Sequence, residues 1–155
     1  MNTICEFKSS LGWFRLEIQD KALSSLEYIG EKPPYVEQPK DPLSFNVIKQ
    51  IEEYLKGERK DFSLPLSPKG TEFQKSVWKE LRKIPYGQTA SYKQIAVKVG
   101  GANKSRAVGM ANNKNPILLI IPCHRVIASD GSLSGFALGV DMKRHLLRLE
   151  SVGEL

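Results

Sequence analysis

The chain has 155 residues, 41% of them apolar and 26% charged, and a formal net charge of +6. That is enough for one or two small domains with a real core, needing neither disulfide nor metal as a staple. Cysteines at 5 and 123 do not form a disulfide framework, the histidines at 124 and 145 have no metal-ligand spacing, and no apolar run approaches a membrane span.

The charge is unevenly placed. Residues 1–68 hold 9 Lys and Arg against 11 Asp and Glu, while residues 69–155 hold 14 against 6, so the two parts carry −2 and +8. An excess of that size is the footprint of a polyanion binder, and the asymmetry suggests two units. Leu64-Pro65-Leu66-Ser67-Pro68-Lys69-Gly70 marks the boundary, because two prolines and a glycine interrupt helix and ladder alike. The expected division is 1–68, an α/β domain, and 69–155, the basic domain.

In the first part, Trp13 to Ile18 alternates as a strand of a small sheet and Leu26 to Ile29 reads as another. Pro33, Pro34, Pro39 and Pro42 make a loop, after which Phe45, Ile48, Ile51 and Leu55 fall at helical spacing and Gly57 supplies a stop. Nothing here looks catalytic. In the second part, Phe73, Val77, Trp78, Leu81 and Ile84 form one apolar stripe that Pro85-Tyr86-Gly87 ends. Ser91 and Gln94 have the form of a capping box for a short helix closed by Gly100-Gly101. Another short helix begins near Asn103 to Ser105, and the pair resembles a helix-turn-helix. Its second member carries Ala107, Gly109 and Ala111 behind the single Arg106, a smooth face suited to minor-groove insertion, with packing on another helix as the plain alternative. Asn115-Pro116 ends it, with Asn115 placed to bond its own loop backbone.

The apolar run Ile117 to Ile121 reads as a buried strand, and Pro122-Cys123-His124-Arg125-Val126 follows directly. A thiol with an ordinary pKa of about 8.5 is mostly protonated at neutral pH, so a nucleophilic cysteine needs a base or nearby positive charge. His124 and Arg125 offer both. Adjacent side chains of an extended segment face opposite ways, so His124 is expected to act through a bend or a water molecule. The plain alternative is a cysteine that only fills space.

Together, Ser91-Tyr92-Lys93-Gln94-Ile95-Ala96, Arg106-Ala107-Val108-Gly109, Asn115-Pro116 and Ile121-Pro122-Cys123-His124-Arg125-Val126-Ile127 resemble the O6-alkylguanine-DNA alkyltransferases in sequence and order. The likeness is dense over 69–150 and thin before it, where Leu11-Gly12-Trp13 carries it. Alkyltransferase-like proteins replace the cysteine of this motif; this chain keeps Cys123. The resemblance implies a ribonuclease-H-like α/β N-terminal domain and a mainly helical, winged-helix-like domain with a helix-turn-helix. It implies minor-groove binding, extrusion of the damaged base, and irreversible, stoichiometric transfer of the O6-alkyl group to Cys123.

By position, the resemblance makes His124 the base acting through water, Glu150 its orienting carboxylate, and Tyr92 an aid to extrusion that protonates or hydrogen-bonds the departing guanine. Arg106 would fill the vacated stack, with Lys104, Ser105, Ala107, Gly109, Ala111 and Tyr92 as DNA contacts and Asn115 as hinge. Ser134, Gly135, Lys143 and Val126 would line the substrate pocket. The implied partner is duplex DNA carrying O6-alkylguanine, with O4-alkylthymine left open. The protein is expected to be a cytoplasmic monomer, nuclear in a eukaryote, without cofactor. Some relatives hold a structural zinc in the N-terminal domain, but Cys5 has no second cysteine or histidine within 1–68, so no metal is expected. Two other classes remain: a non-catalytic helix-turn-helix damage sensor, which gives Cys123 no task, and a cysteine hydrolase, which would turn over.

Overall fold

The computed structural model describes residues 2–133, 136 and 138–150. The chain divides into two compact units: one runs to Lys69 and includes Pro116–Leu118, and the other begins at Gly70 and takes the rest.

In the first unit, β1 (Asn2–Ser9), β2 (Gly12–Gln19) and β3 (Ala22–Gly30) form an antiparallel meander in the order β1-β2-β3. Phe14, Leu16 and Ile18 of β2 are buried while Trp13, Arg15 and Glu17 are half-buried, the period-two pattern of a sheet with one face on a core. Beyond Trp13 to Ile18 and Leu26 to Ile29, a third strand precedes both. It is hidden from pattern because Ile4 is exposed and Glu6 is buried, the latter held by Arg15 at 3.0 Å and the Glu37 N–H at 2.8 Å. On the outer side of β3, Leu26 donates to the Pro116 carbonyl and Leu118 to the Leu26 carbonyl, which ties Pro116–Leu118 to this unit.

Helix α1 (Pro42–Leu55) starts at Asp41, whose carboxylate caps the Ser44 N–H at 2.7 Å, with proline in the first turn where its missing N–H costs nothing. Its core face is Val47, Ile51 and Tyr54, with Ser44 and Gln50. That corrects the stripe Phe45, Ile48, Ile51 and Leu55. Phe45 is exposed, because Gln50 turns inward to bridge the Ser63 backbone and rotates the helix accordingly.

The second unit is built on helices. α2 (Glu72–Leu81) opens with a complete capping box between Thr71 and Gln74 and buries Val77, Trp78 and Leu81. α3 (Tyr92–Val99) opens with the Ser91 and Gln94 box and ends at Gly100, whose φ of 155° and the 139° of Gly101 suit glycine alone. α4 (Ser105–Asn113) follows a single 3-10 turn and buries Val108, Ala111 and Asn112. A short parallel ladder pairs β4 (Ala90–Ser91) with β5 (Val126–Ile127), and α5 (Val140–Leu149) buries Lys143, Leu146 and Leu147. A small antiparallel sheet and a set of helices are therefore the architecture. Among the described residues no helix is long and apolar enough to cross a membrane.

The buried strand expected at Ile117 to Ile121 is absent. Only Ile117 bridges, and the segment then turns through Leu119, a non-glycine residue held at φ 69°. Tertiary packing, not a ladder, buries these side chains.

Trp78 is buried and its indole N–H donates to the Ala111 carbonyl at 2.9 Å, fastening α2 to α4. Trp78→Phe keeps most of the bulk but removes that bond, leaving the Ala111 carbonyl with the Lys114 N–H at 3.1 Å, so it should cost about 0.5–1.5 kcal/mol. A lower urea midpoint at unchanged m-value is the expected result; an unchanged midpoint would show that the bond adds nothing.

Candidate active site

Cys123 lies not on a strand end but at the start of a 3-10 turn, Cys123–Arg125. Pro122 has φ −81° and ψ 66°, and the Cys123 N–H donates to the Ile121 carbonyl at 2.8 Å, an inverse γ-turn that throws the chain into the 3-10 geometry. Asn115 donates its side-chain amide to the same carbonyl at 2.7 Å, and Asn112 donates to the Cys123 carbonyl at 3.4 Å. The reactive turn is thus fixed from the end of α4 by two asparagines, of which sequence reasoning found only Asn115. Asn112 lay unread among helix residues because nothing local marks a buried amide.

The thiol is buried. Burial pushes its pKa up to about 11, and a hydrogen bond with Asn115 and the positive charge of Lys143 pull the other way. His124 and Glu150 are buried as well, with His124 Nε2 and Glu150 Oε2 2.7 Å apart. Burial lowers the imidazole from its ordinary value, opposed by the hydrogen bond and charge of Glu150. Glu150 is no surface carboxylate: it caps the end of α5 and accepts from the Gly87 N–H at 3.2 Å. Arg125 does not lend its charge to the thiol, as proximity in sequence suggests. Its Nε and NH2 fork onto Glu150 at 2.8 and 3.1 Å and its NH1 reaches the Ile84 carbonyl at 2.7 Å.

Lys143 points from α5 into the same region, fully buried, with its ammonium donating to the Val126 carbonyl. The Tyr92 ring lies 5.8 Å away and the Phe136 ring 5.9 Å. Burial drives this amine down to about 8, countered by Cys123. Tyr92 is half-buried at the first position of α3; burial and then the Cys123 charge raise its phenol. Val126 is buried. Ser134 and Gly135 lie outside the described residues.

On α4, Arg106 is exposed, as is Lys104 just before it, while Ser105, Ala107 and Gly109 are half-buried. Ala111 must be taken off the DNA-facing set: it is buried with its carbonyl bonded to Trp78, so it packs α4 onto α2. A Cβ built at Gly109 would meet the Tyr92 ring at 3.9 Å, ordinary contact, so internal packing does not require glycine there. Among the described residues no group of three or more His, Cys, Asp or Glu is arranged to hold a metal.

A buried thiol followed by a histidine that a buried carboxylate holds is a site for cysteine-based chemistry, and the comparisons fit that class. The family model described as "6-O-methylguanine DNA methyltransferase, DNA binding domain" matches residues 72–152. The methylated-DNA–protein-cysteine methyltransferase of Methanosarcina barkeri is 47% identical over 148 residues, covering 92% of this chain and 93% of that one. The crystal structure of Mycobacterium tuberculosis O6-methylguanine methyltransferase superposes with a TM-score of 0.81 at 36% identity, over 99% of this chain and 96% of that one. A structure of the Mycobacterium tuberculosis protein in complex with DNA gives 0.84 at 39%, over 94% and 90%. The chain belongs to the methylated-DNA–protein-cysteine methyltransferase family.

With a thiol near pKa 11, modification of Cys123 by iodoacetamide should climb about tenfold per pH unit from pH 7 to 9, because only the thiolate reacts. Peptide mapping separates it from Cys5, also pushed up to about 11 by burial. A plateau near pH 7 would reveal a resting thiolate and contradict this electrostatic picture.

Proposed function

We propose that this protein repairs DNA by direct reversal, moving an O6-alkyl group from guanine in duplex DNA onto the Cys123 sulfur in a single, irreversible turnover. The observation that carries the reading is the buried Cys123, His124 and Glu150 set within the segment that matches the family's DNA-binding domain.

In this mechanism the helix pair α3 and α4 docks in the minor groove. Arg106, exposed at the start of α4, fills the stack vacated by the extruded guanine. Gly109 and Ala107 give a low surface for close backbone approach, which fits a glycine that packing does not demand. Exposed Lys104 and half-buried Ser105 lie at the same helix start. Extrusion costs a few kcal/mol and is cheapest for a weakened pair, which favours damaged sites before any chemistry.

The thiol proton passes through water to His124, whose other ring nitrogen is held by Glu150. The sulfur attacks the alkyl carbon; the S–C bond forms as the C–O6 bond breaks, and the bonding pair stays on the guanine. Tyr92 donates its proton to that leaving group and is reprotonated through water by the proton that His124 took from the thiol, so the guanine, the thioether, Tyr92 and His124 all end neutral. Asn115 acts as the hinge linking α4 to the reactive turn, and Val126, Lys143, Ser134 and Gly135 line the pocket. The first unit we read as a ribonuclease-H-like fold and the second as winged-helix-like, on the strength of the meander with its helix and of the α3 and α4 pair. We place the two functional domains at 1–68 and 69–155 and the protein in the cytoplasm.

Intact-mass spectrometry after incubation with a duplex holding one O6-methylguanine should show a gain of one methylene, at most one per protein, absent in Cys123→Ser and with undamaged DNA. Product beyond one equivalent would mean a hydrolase, and binding without mass change a sensor.

Arg106→Ala should lower the transfer rate on duplex DNA by about tenfold or more and weaken binding. Lys104→Ala should instead reduce the slope of log affinity against log salt by about one, as expected for a lost phosphate contact. A salt slope unchanged in Lys104→Ala would remove that residue from the interface.

A further inference from the structure

Arg125 spends its guanidinium on Glu150 rather than on the thiol. The fork reaches both carboxylate oxygens, at 2.8 and 3.1 Å, the third nitrogen is tied to the Ile84 carbonyl at 2.7 Å, and the Tyr86 ring lies 5.7 Å from the guanidinium carbon. Glu150 also accepts from the Gly87 N–H. A carboxylate held by an arginine fork stays ionised and can only accept. The nitrogen facing it, His124 Nε2 at 2.7 Å, therefore carries the ring proton, and Nδ1 is the basic nitrogen.

The charge balance matters as much as the orientation. The groups that face His124 are Glu150 at the end of α5, Arg125 on its own turn and Lys143 within α5. With Arg125 in place the single negative charge of Glu150 is already balanced, and a proton added to His124 would create a further buried cation beside Arg125 and Lys143. Without Arg125, an ionised Glu150 would face the imidazole alone, and a lone buried carboxylate favours imidazolium. An imidazolium cannot accept the thiol proton.

We infer that Arg125 is a positioning residue that keeps His124 neutral and protonated at Nε2, so that Nδ1 is left to act as the base toward Cys123. This rests on the alkyl-transfer reading above and adds to it the group that sets the state of the base. Burial of His124, which itself disfavours the charged ring, works in the same direction.

The first test needs no substitution. Long-range 1H–15N NMR of the native protein at pH 7 should show His124 as the neutral Nε2–H tautomer; an imidazolium or an Nδ1–H tautomer overturns the inference. The second reads single-turnover transfer from an O6-methylguanine duplex as a function of pH. In Arg125→Met the acid limb should move up by about one pH unit or more, because the uncompensated carboxylate now protonates the ring. Arg125→Lys keeps the cation but cannot fork, so its limb should stay near the native position while the rate falls several-fold. An unmoved limb in Arg125→Met overturns the inference; if that variant does not fold, an Arg125→Lys limb displaced as far as one unit does so instead. His124→Ala separates the two levels. If it transfers alkyl groups at the native rate, the histidine-base reading itself is wrong; if it is slow while the native tautomer or the Arg125→Met limb is not as stated, only the role of Arg125 falls.

Discussion

The second unit is organised around one buried carboxylate. Burying an ionised Glu150 would cost several kcal/mol unless every oxygen were satisfied, and the structure satisfies them from three directions: the Arg125 fork, His124 and the Gly87 N–H. His124 and Arg125 come from the 3-10 turn and Gly87 from the loop that follows α2, so meeting the carboxylate's demand fixes both segments against the end of α5. The same bonds that make the burial tolerable also decide which way the imidazole points. Stability and chemical poise are therefore one constraint, and a change at Glu150 touches both.

The thiol is poised differently. Its turn is set by backbone geometry, an inverse γ-turn at Pro122 with Asn115 and Asn112 bonded around it, while its environment holds it protonated. With a pKa raised to about 11, ionising Cys123 at pH 7 costs on the order of 5 kcal/mol. A protein that spends itself in one reaction gains from that cost, since a neutral thiol ignores stray electrophiles. Lys143 lowers the cost from one side and is itself discharged toward about 8 by burial, so it moderates the thiol without forcing it into a standing thiolate.

Much of this was legible in the sequence, for reasons that differ from element to element. β2 and the capped helices α2 and α3 announce themselves because alternation and capping boxes are local signals. β1 does not, since its buried Glu6 is paid for by Arg15 and Glu37, partners far along the chain. The face of α1 was misjudged for the same reason, as Gln50 turns inward to serve the Ser63 backbone. At the site, Cys123 and His124 stand out by rarity and adjacency, whereas the strand reading of Ile117 to Ile121 failed because a continuous apolar run reports burial and not conformation. Ala111 looked like part of a smooth exposed face until its carbonyl proved to be engaged by Trp78. Arg125 is the clearest limit: its neighbours in sequence suggest a partner for the thiol, and only the fold reveals that its partner lies 25 residues on, at Glu150.

That distinction divides the basic charge of the second unit into two populations. Arg125 and Lys143 are buried and committed to the site, so they contribute little to long-range attraction of a phosphate backbone. Lys93 and Lys98 on α3, Lys104 and Arg106 at the start of α4 and Lys114 just past its end are exposed and free of that commitment. Attraction to a polyanion depends on the exposed set and is weakened by salt, whereas the protonation of sulfur and imidazole depends on the buried set, where screening is slight. Salt therefore acts on encounter and pH on chemistry, through different residues of one helical unit, and the +8 excess read from the sequence overstates the charge available to DNA only by the buried Lys143, because buried Arg125 and Glu150 cancel in that count.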